Sequence, residues 1–130
     1  MEKTYQFLKD CGTYYLATID GNQPRVRPFG TIHIFEGKLY FQTGKIKSVS
    51  KQLHRSSHIE ISAFKDGKWI RLAATAAEDP RIQAQLSMLE AYPSLSDRYQ
   101  AGDGNMEVWY LKNAVSIISS FTEAPFTETF

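Results

Sequence analysis

Three dipeptides, Asp20-Gly21, Glu36-Gly37 and Asp66-Gly67, each interrupt runs rich in β-branched and aromatic residues. An acidic residue followed by glycine readily takes the left-handed backbone of a two-residue hairpin turn, so neighbouring runs are committed to antiparallel pairing. The runs predict strands over 13–19, 24–35, 38–43, 58–65, 68–78 and 106–120, the last bent or broken near Asn113. Six strands at this spacing predict a small barrel, mainly β with flanking helices. Helices are expected over 2–10, stopped by Gly12, over 45–56, and over 80–91, with Asp79 as N-cap and Pro80 as first helical residue. Tyr92-Pro93 then breaks the helical pattern, and Asp103-Gly104-Asn105 reads as a loop at a pocket entrance. Residues 119–130 read either as an ordered extension or as a tail that packs on a partner.

Alternation along the strands assigns Val26, Ile32, Ile34, Leu39, Phe41, Ile59, Ile61, Ala63, Ile70, Leu72 and Ala74 to the barrel interior. It leaves Tyr15, Arg27, Phe29, Tyr40, Gln42, Phe64, Trp69 and Arg71 facing outward, an aromatic load that implies a partner surface. Identical subunits related by a two-fold axis are the default partner, so a homodimer is expected, with ligand pockets where the two chains meet.

Bulk properties narrow the function. At 130 residues and 42% hydrophobic, the chain reads as one domain over 1–130. Fifteen basic residues against fourteen acidic give a net charge of +1, so no broad field favours nucleic acid and an anion site must be local. Outward aromatics and arginines also suit a single-stranded nucleic-acid platform, a reading the near-neutral charge opposes. Cys11 is the only cysteine, which excludes an internal disulfide and points to a reducing, cytoplasmic setting. No apolar run approaches membrane-helix length, and Met1-Glu2-Lys3-Thr4 opens an amphipathic segment instead of a signal peptide. His33, His54 and His58 lack metal-ligand spacing or a nearby carboxylate pattern, so no metal is expected.

Residues 24–53 point to an anion. Arg25, Arg27, Phe29 and Thr31 share one strand face, opposite Val26, Pro28, Gly30, Ile32 and Ile34. Lys47 and Lys51, four apart, share one side of the following helix, whose free N-terminal amides face the same region. Guanidinium, ammonium, hydroxyl and backbone N–H groups together suit a phosphate, hence a nucleotide-like ligand. Each group also has an ordinary reading: Arg27 as a solvated or ion-paired strand residue, Lys47 and Lys51 as a solvated helix face, Thr43 and Ser48 as helix caps. Trp69 and Arg71, two apart on one strand face, serve either to clamp a planar ligand or to pack.

In the order and spacing of Gln23-Pro-Arg-Val-Arg-Pro-Phe-Gly30, Leu39-Tyr-Phe-Gln-Thr43, Lys47-Ser-Val-Ser-Lys-Gln-Leu53 and Trp69-Ile-Arg-Leu72, the chain resembles the pyridoxamine 5′-phosphate oxidase-like FMN-binding split barrels. Within them it is similar to the short branch of nitroimidazole-resistance reductases. The resemblance runs from about residue 5 to residue 121, with Glu78-Asp79 and Tyr92-Pro93 as weaker supports. It implies a six-stranded antiparallel split β-barrel and a homodimer with FMN at the subunit interface. Arg27 falls at the family's phosphate-binding arginine, and Pro28, Phe29 and Gly30 fall where backbone lines the flavin ring. Gln42 and Thr43 match the strand-end pair beside the phosphate, Lys47 and Lys51 the basic helix positions, and Ser48 the nearest hydroxyl. Three departures argue against vitamin B6 oxidation: Ile32 replaces a lysine, Ala74 a common glycine, and the arginine-rich C-terminus is absent. The implied activity is electron transfer from a reduced nicotinamide to a small planar acceptor, a nitroaromatic or quinone. The alternative is a binding or sensor protein for flavin, deazaflavin or haem. No catalytic residue is identified.

Overall fold

The computed structural model describes residues 1–130 and orders them as α1 (Glu2–Cys11), β1 (Tyr14–Asp20), β2 (Gln23–Phe29), β3 (His33–Phe35), β4 (Lys38–Gly44), α2 (Ser48–Arg55), β5 (His58–Lys65), β6 (Lys68–Asp79), α3 (Ile82–Ala91), β7 (Met106–Ser120) and β8 (Phe126–Thr129), with a 3₁₀ turn at Pro93–Asp97. At two of the three turns both central residues have positive φ: Glu36 (48°) with Gly37 (73°), and Asp66 (53°) with Gly67 (77°). The first turn is shifted by one residue, because Asp20 pairs with Gln23 and leaves Gly21-Asn22 in the bend.

All strands pair antiparallel in one sheet, ordered β2-β1-β5-β6-β7-β4-β3, with β8 added to β7. The eight strands exceed the expected six because the run 24–35 splits and the C-terminus adds β8. The split has a clear cause. At residues 30–32 the backbone leaves the ladder and is satisfied by tyrosine hydroxyls: Tyr14 donates to the Thr31 carbonyl (2.6 Å), while Tyr92 accepts from Ile32 N–H (3.0 Å) and donates to its carbonyl (2.9 Å). β2 and β3 therefore end on opposite edges, and the sheet stays open between them.

β7 is the spine of the sheet, pairing with β4, β6 and β8. Ala73 opposes Val115 but Thr75 opposes Lys112, so two steps along β6 match three along β7. Asn113 absorbs the extra residue at φ 51°, a β-bulge at the predicted bend. Beyond it Ala114 exchanges backbone bonds with Phe130, and Glu128 ties the tail to α1 by accepting from Thr4 N–H (2.8 Å) and the Thr4 hydroxyl (2.7 Å). The C-terminus is an ordered extension.

The main core joins Leu8, Tyr14, Leu16, Ile61, Ile70 and Leu72 between the curled sheet, α1 and α2. A second cluster of Tyr40, Ala84, Met88, Tyr99, Met106 and Val108 lies beneath α3. Because α3 covers the outer side of β4, Tyr40 and Gln42 are buried and not outward as expected. β2 is turned over relative to expectation: Val26 is 67% exposed, whereas Arg27 and Phe29 lie opposite Leu16 and Tyr14 on the inner face. The β1–β2 register imposes this, and Phe29 packs against Tyr14 and Phe41. Asp79 is not the cap of α3. It is buried, accepting from Tyr40 Oη (2.7 Å) and from the Arg81 side chain (2.9 and 3.0 Å), and the helix starts at Ile82.

Candidate functional site

Where β2 leaves the sheet and β4 runs into α2, a cleft of about 280 Å³ opens, lined by Pro28, Phe29, Gly30, Thr31, Gln42, Thr43, Lys47 and Leu95. Six of the residues expected from the sequence, Pro28, Phe29, Gly30, Gln42, Thr43 and Lys47, meet there. No carboxylate lines it, and Lys47 has no ion-pair partner. The Thr43 hydroxyl is buried with no hydrogen-bond partner. It does not cap α2, nor does Ser48, which is exposed on the first turn. Around it the other polar groups are engaged: the Thr31 hydroxyl accepts from Gln42 N–H (3.0 Å), and the Gln42 side chain donates to the Thr43 carbonyl (2.9 Å). An unpartnered buried hydroxyl is costly unless a ligand completes it.

The strand enters α2 by close contact. A Cβ on Gly44 would approach Tyr99 Oη to 2.9 Å, so glycine lets the β4–α2 turn pass the tyrosine. A second cleft of about 340 Å³, lined by Ser94, Leu95, Asp97, Arg98 and Tyr99, shares Gln42, Lys47 and Leu95 with the first.

Arg27 stands beside α2, outside the lining of the cleft. Its guanidinium donates to Thr18 Oγ1 (2.7 Å), the Leu16 carbonyl (3.2 Å) and Gln52 Oε1 (2.6 Å), all neutral acceptors. Burial, with the nearby Arg25 charge, lowers its pKa from the usual arginine range. Arg27 is thus not ion-paired: neutral acceptors alone fix the cation.

Other expected residues lie apart. Lys51 lines a separate hollow with Lys45, Ser50, His54 and Arg55. Trp69 and Arg71 line a groove of about 330 Å³ on the outer sheet face with Glu60, Ala73, Val115, Ile117 and Ser119. There Arg71 pairs with Glu60 (3.0 Å) and Trp69 packs on Phe121 with ring centroids 5.1 Å apart. The sequence offered no signal for Leu95, which reaches the cleft through the 3₁₀ turn after Pro93. It also placed no carboxylate near His54, whereas the fold brings Glu78 and Glu107 beside it.

The first cleft, with a free ammonium and no acid, suits an anionic group such as a phosphate. An antiparallel sheet opened between its edge strands is the fold this chain shares with pyridoxamine 5′-phosphate oxidase-like structures. A putative pyridoxamine 5′-phosphate oxidase from Listeria innocua shares it at TM-score 0.68 and 16% identity, over 99% of this chain and 96% of that one. A heme binding protein from Mycobacterium smegmatis does so at 0.75 and 15%, over 98% of this chain and 57% of that one. A NimC/NimA family protein from Clostridium acetobutylicum superposes at TM-score 0.94 with 42% identity, over 98% of this chain and 93% of that one. The chain belongs to the NimC/NimA family. No family model and no curated protein matches it.

Proposed function

We propose that this protein is an FMN-dependent oxidoreductase that passes electrons from a reduced nicotinamide to a small planar acceptor of the nitroaromatic or quinone type. The observation that carries this reading is the carboxylate-free cleft at the β4–α2 turn, where Lys47 has no ion-pair partner and Thr43, with its hydroxyl buried and unpartnered, forms part of the wall. Lys47 Nζ and Thr43 Oγ1 are assigned to the phosphate, with Ser48 and Lys51 at the helix rim and Arg27 supplying positive potential through the wall it shares with Gln52. Pro28, Phe29 and Gly30 are assigned to the ring, held by the packing of Phe29 on Phe41. FMN supplies the hydride chemistry when bound, so the chain needs no acid or base of its own for that transfer.

The outer sheet face supports a homodimer. Register places Tyr15, Val26, Phe64, Val115 and Ile117 on that one face, and all five are exposed. Such a face suits a second copy of the chain, whose cover would complete the groove at Trp69 and Arg71. The haem reading is disfavoured at the first cleft, since no histidine, cysteine, methionine or tyrosine lines it to serve as an axial ligand. The test is anaerobic: FMN-loaded protein is bleached by NADH or NADPH and recovers its yellow colour with a nitroaromatic or a quinone. Retention of a flavin that neither donor reduces would leave a binding protein in its place. Sedimentation at micromolar concentration is expected to give a dimer.

A further inference from the structure

At the C-terminal end of α2, three side chains from three elements converge: His54 of α2, Glu78 of β6 and Glu107 of β7 each place a ligand atom within 4.8 Å of the others. His54 Nδ1 lies 2.7 Å from the Ser50 carbonyl, and its Nε2 lies 3.1 Å from Glu78 Oε1. With Nδ1–H held by the Ser50 carbonyl, Nε2–H donates to Glu78, and a cation bound at Nε2 would take the place of that proton, the arrangement metal-bound imidazoles use.

Glu107 carries the argument further. It is only 4% exposed, and Trp109 Nε1 donates to one carboxylate oxygen at 3.1 Å. No lysine, arginine or histidine nitrogen lies within 4.0 Å of it. A buried carboxylate without a cation is expensive to hold. The His54–Glu78 contact engages Glu78, while Glu107 faces the same imidazole from within 4.8 Å without forming an ion pair. The cluster opens into a cleft of about 340 Å³ lined also by Lys45, Gln85, Gly102 and Gly104. Lys45 is the other cation facing this cleft, and it pairs with neither glutamate. His54 and Glu78 are 48% and 32% exposed at their side chains, so solvent and ions reach the cluster from the side opposite buried Glu107. His54 is further held edge-on to Trp109, with ring centroids 4.9 Å apart.

We propose that His54, Glu78 and Glu107 form a binding site for a first-row divalent cation of the Zn²⁺ or Mn²⁺ type. One imidazole and two carboxylates suit such an ion, and three protein ligands leave positions open to water or a small ligand in the cleft. The site shares no lining residue with the cleft at Thr43, although Glu107 and Thr43 are directly opposed across β4 and β7.

Co²⁺ is the probe, titrated into untagged full-length protein and followed by its visible d–d bands and by calorimetry, then displaced with Zn²⁺. One saturable equivalent per chain is expected, displaced by Zn²⁺, with affinity lowered about tenfold or more by His54→Ala and by Glu107→Gln. Glu78→Gln, at a partly exposed position, gives the same reading should the Glu107 variant fail to fold. Absence of saturable binding, or a stoichiometric site that His54→Ala and Glu78→Gln both leave intact, overturns the proposal.

Discussion

The Thr43 hydroxyl is the group whose removal separates folding from binding. Buried and unpartnered, it costs the ligand-free protein stability, whereas a bound phosphate would use it. Thr43→Val keeps the shape and discards the hydroxyl, so the ligand-free variant is expected to melt at or above the wild-type temperature, with a gain of up to about 1–2 kcal/mol. Its FMN affinity is expected to fall by about 1 kcal/mol or more, read from flavin fluorescence quenching. A loss of stability without a change in affinity would assign Thr43 to packing alone. At this scale the sequence foresaw which residues gather, not what they bind. The family resemblance pointed to Pro28, Phe29, Gly30, Gln42, Thr43 and Lys47, and the structure brings these six to one cleft. The orientation of Arg27 was not legible, because on an edge strand either face can carry arginine, and only the pairing of Val26 with Ala17 decides which face turns inward. The acidic partners of His54 were equally hidden, since β6 and β7 bring them from distant parts of the chain.

Between elements, two polar devices hold the fold where hydrogen-bonded ladders end. Tyr92 bridges the gap between β2 and β3 by bonding both backbone groups of Ile32, and Lys9 donates to its hydroxyl at 3.1 Å. Tyr92→Phe leaves those groups unpaired and is expected to cost about 1–3 kcal/mol in urea denaturation. Glu128 of β8 is the second device. Burial pushes its carboxyl up, but hydrogen bonds from the Thr4 hydroxyl, the N-terminal ammonium and the N–H groups of Thr4 and Lys3 outweigh this and bring it from 4.5 to about 2. A carboxyl depressed in the folded state contributes stability that is fully present above pH 4.5 and fades as pH falls through about 2. Glu128→Gln is therefore expected to cost about 1–2 kcal/mol at pH 7. The gap from wild type should narrow between pH 4.5 and pH 2, as measured by denaturation midpoints across that range. A gap that stays constant with pH would reduce Glu128 to a packing residue. Elements with strong local patterns, the three helices and the strands flanking acidic-glycine turns, were readable. The break at 30–32 and the strand at 126–129 were not, because both depend on partners supplied by distant segments: Tyr14 and Tyr92 for one, β7 for the other.

For the whole molecule, the open sheet divides the surface into two working regions. One is the cleft at the β4–α2 turn, where Lys47 is the one charged residue and no acid is present; the other is the outer face from β2 to β7, where Phe64 is 68% exposed. The antiparallel class followed from the turns alone, but the strand count and the burial of Tyr40 did not. α3 folds over β4 and converts an outward face into a second core, a tertiary event that alternation cannot anticipate. The central claim is that the cleft beside Lys47 recognises a phosphate and not merely a flat ring. Comparing the affinities of FMN and riboflavin, which differ by that phosphate, tests it most directly. FMN is expected to bind at least about tenfold more tightly, and Lys47→Ala should remove most of the difference. Equal binding of the two flavins, or a preference for FMN that survives in Lys47→Ala, would contradict the account.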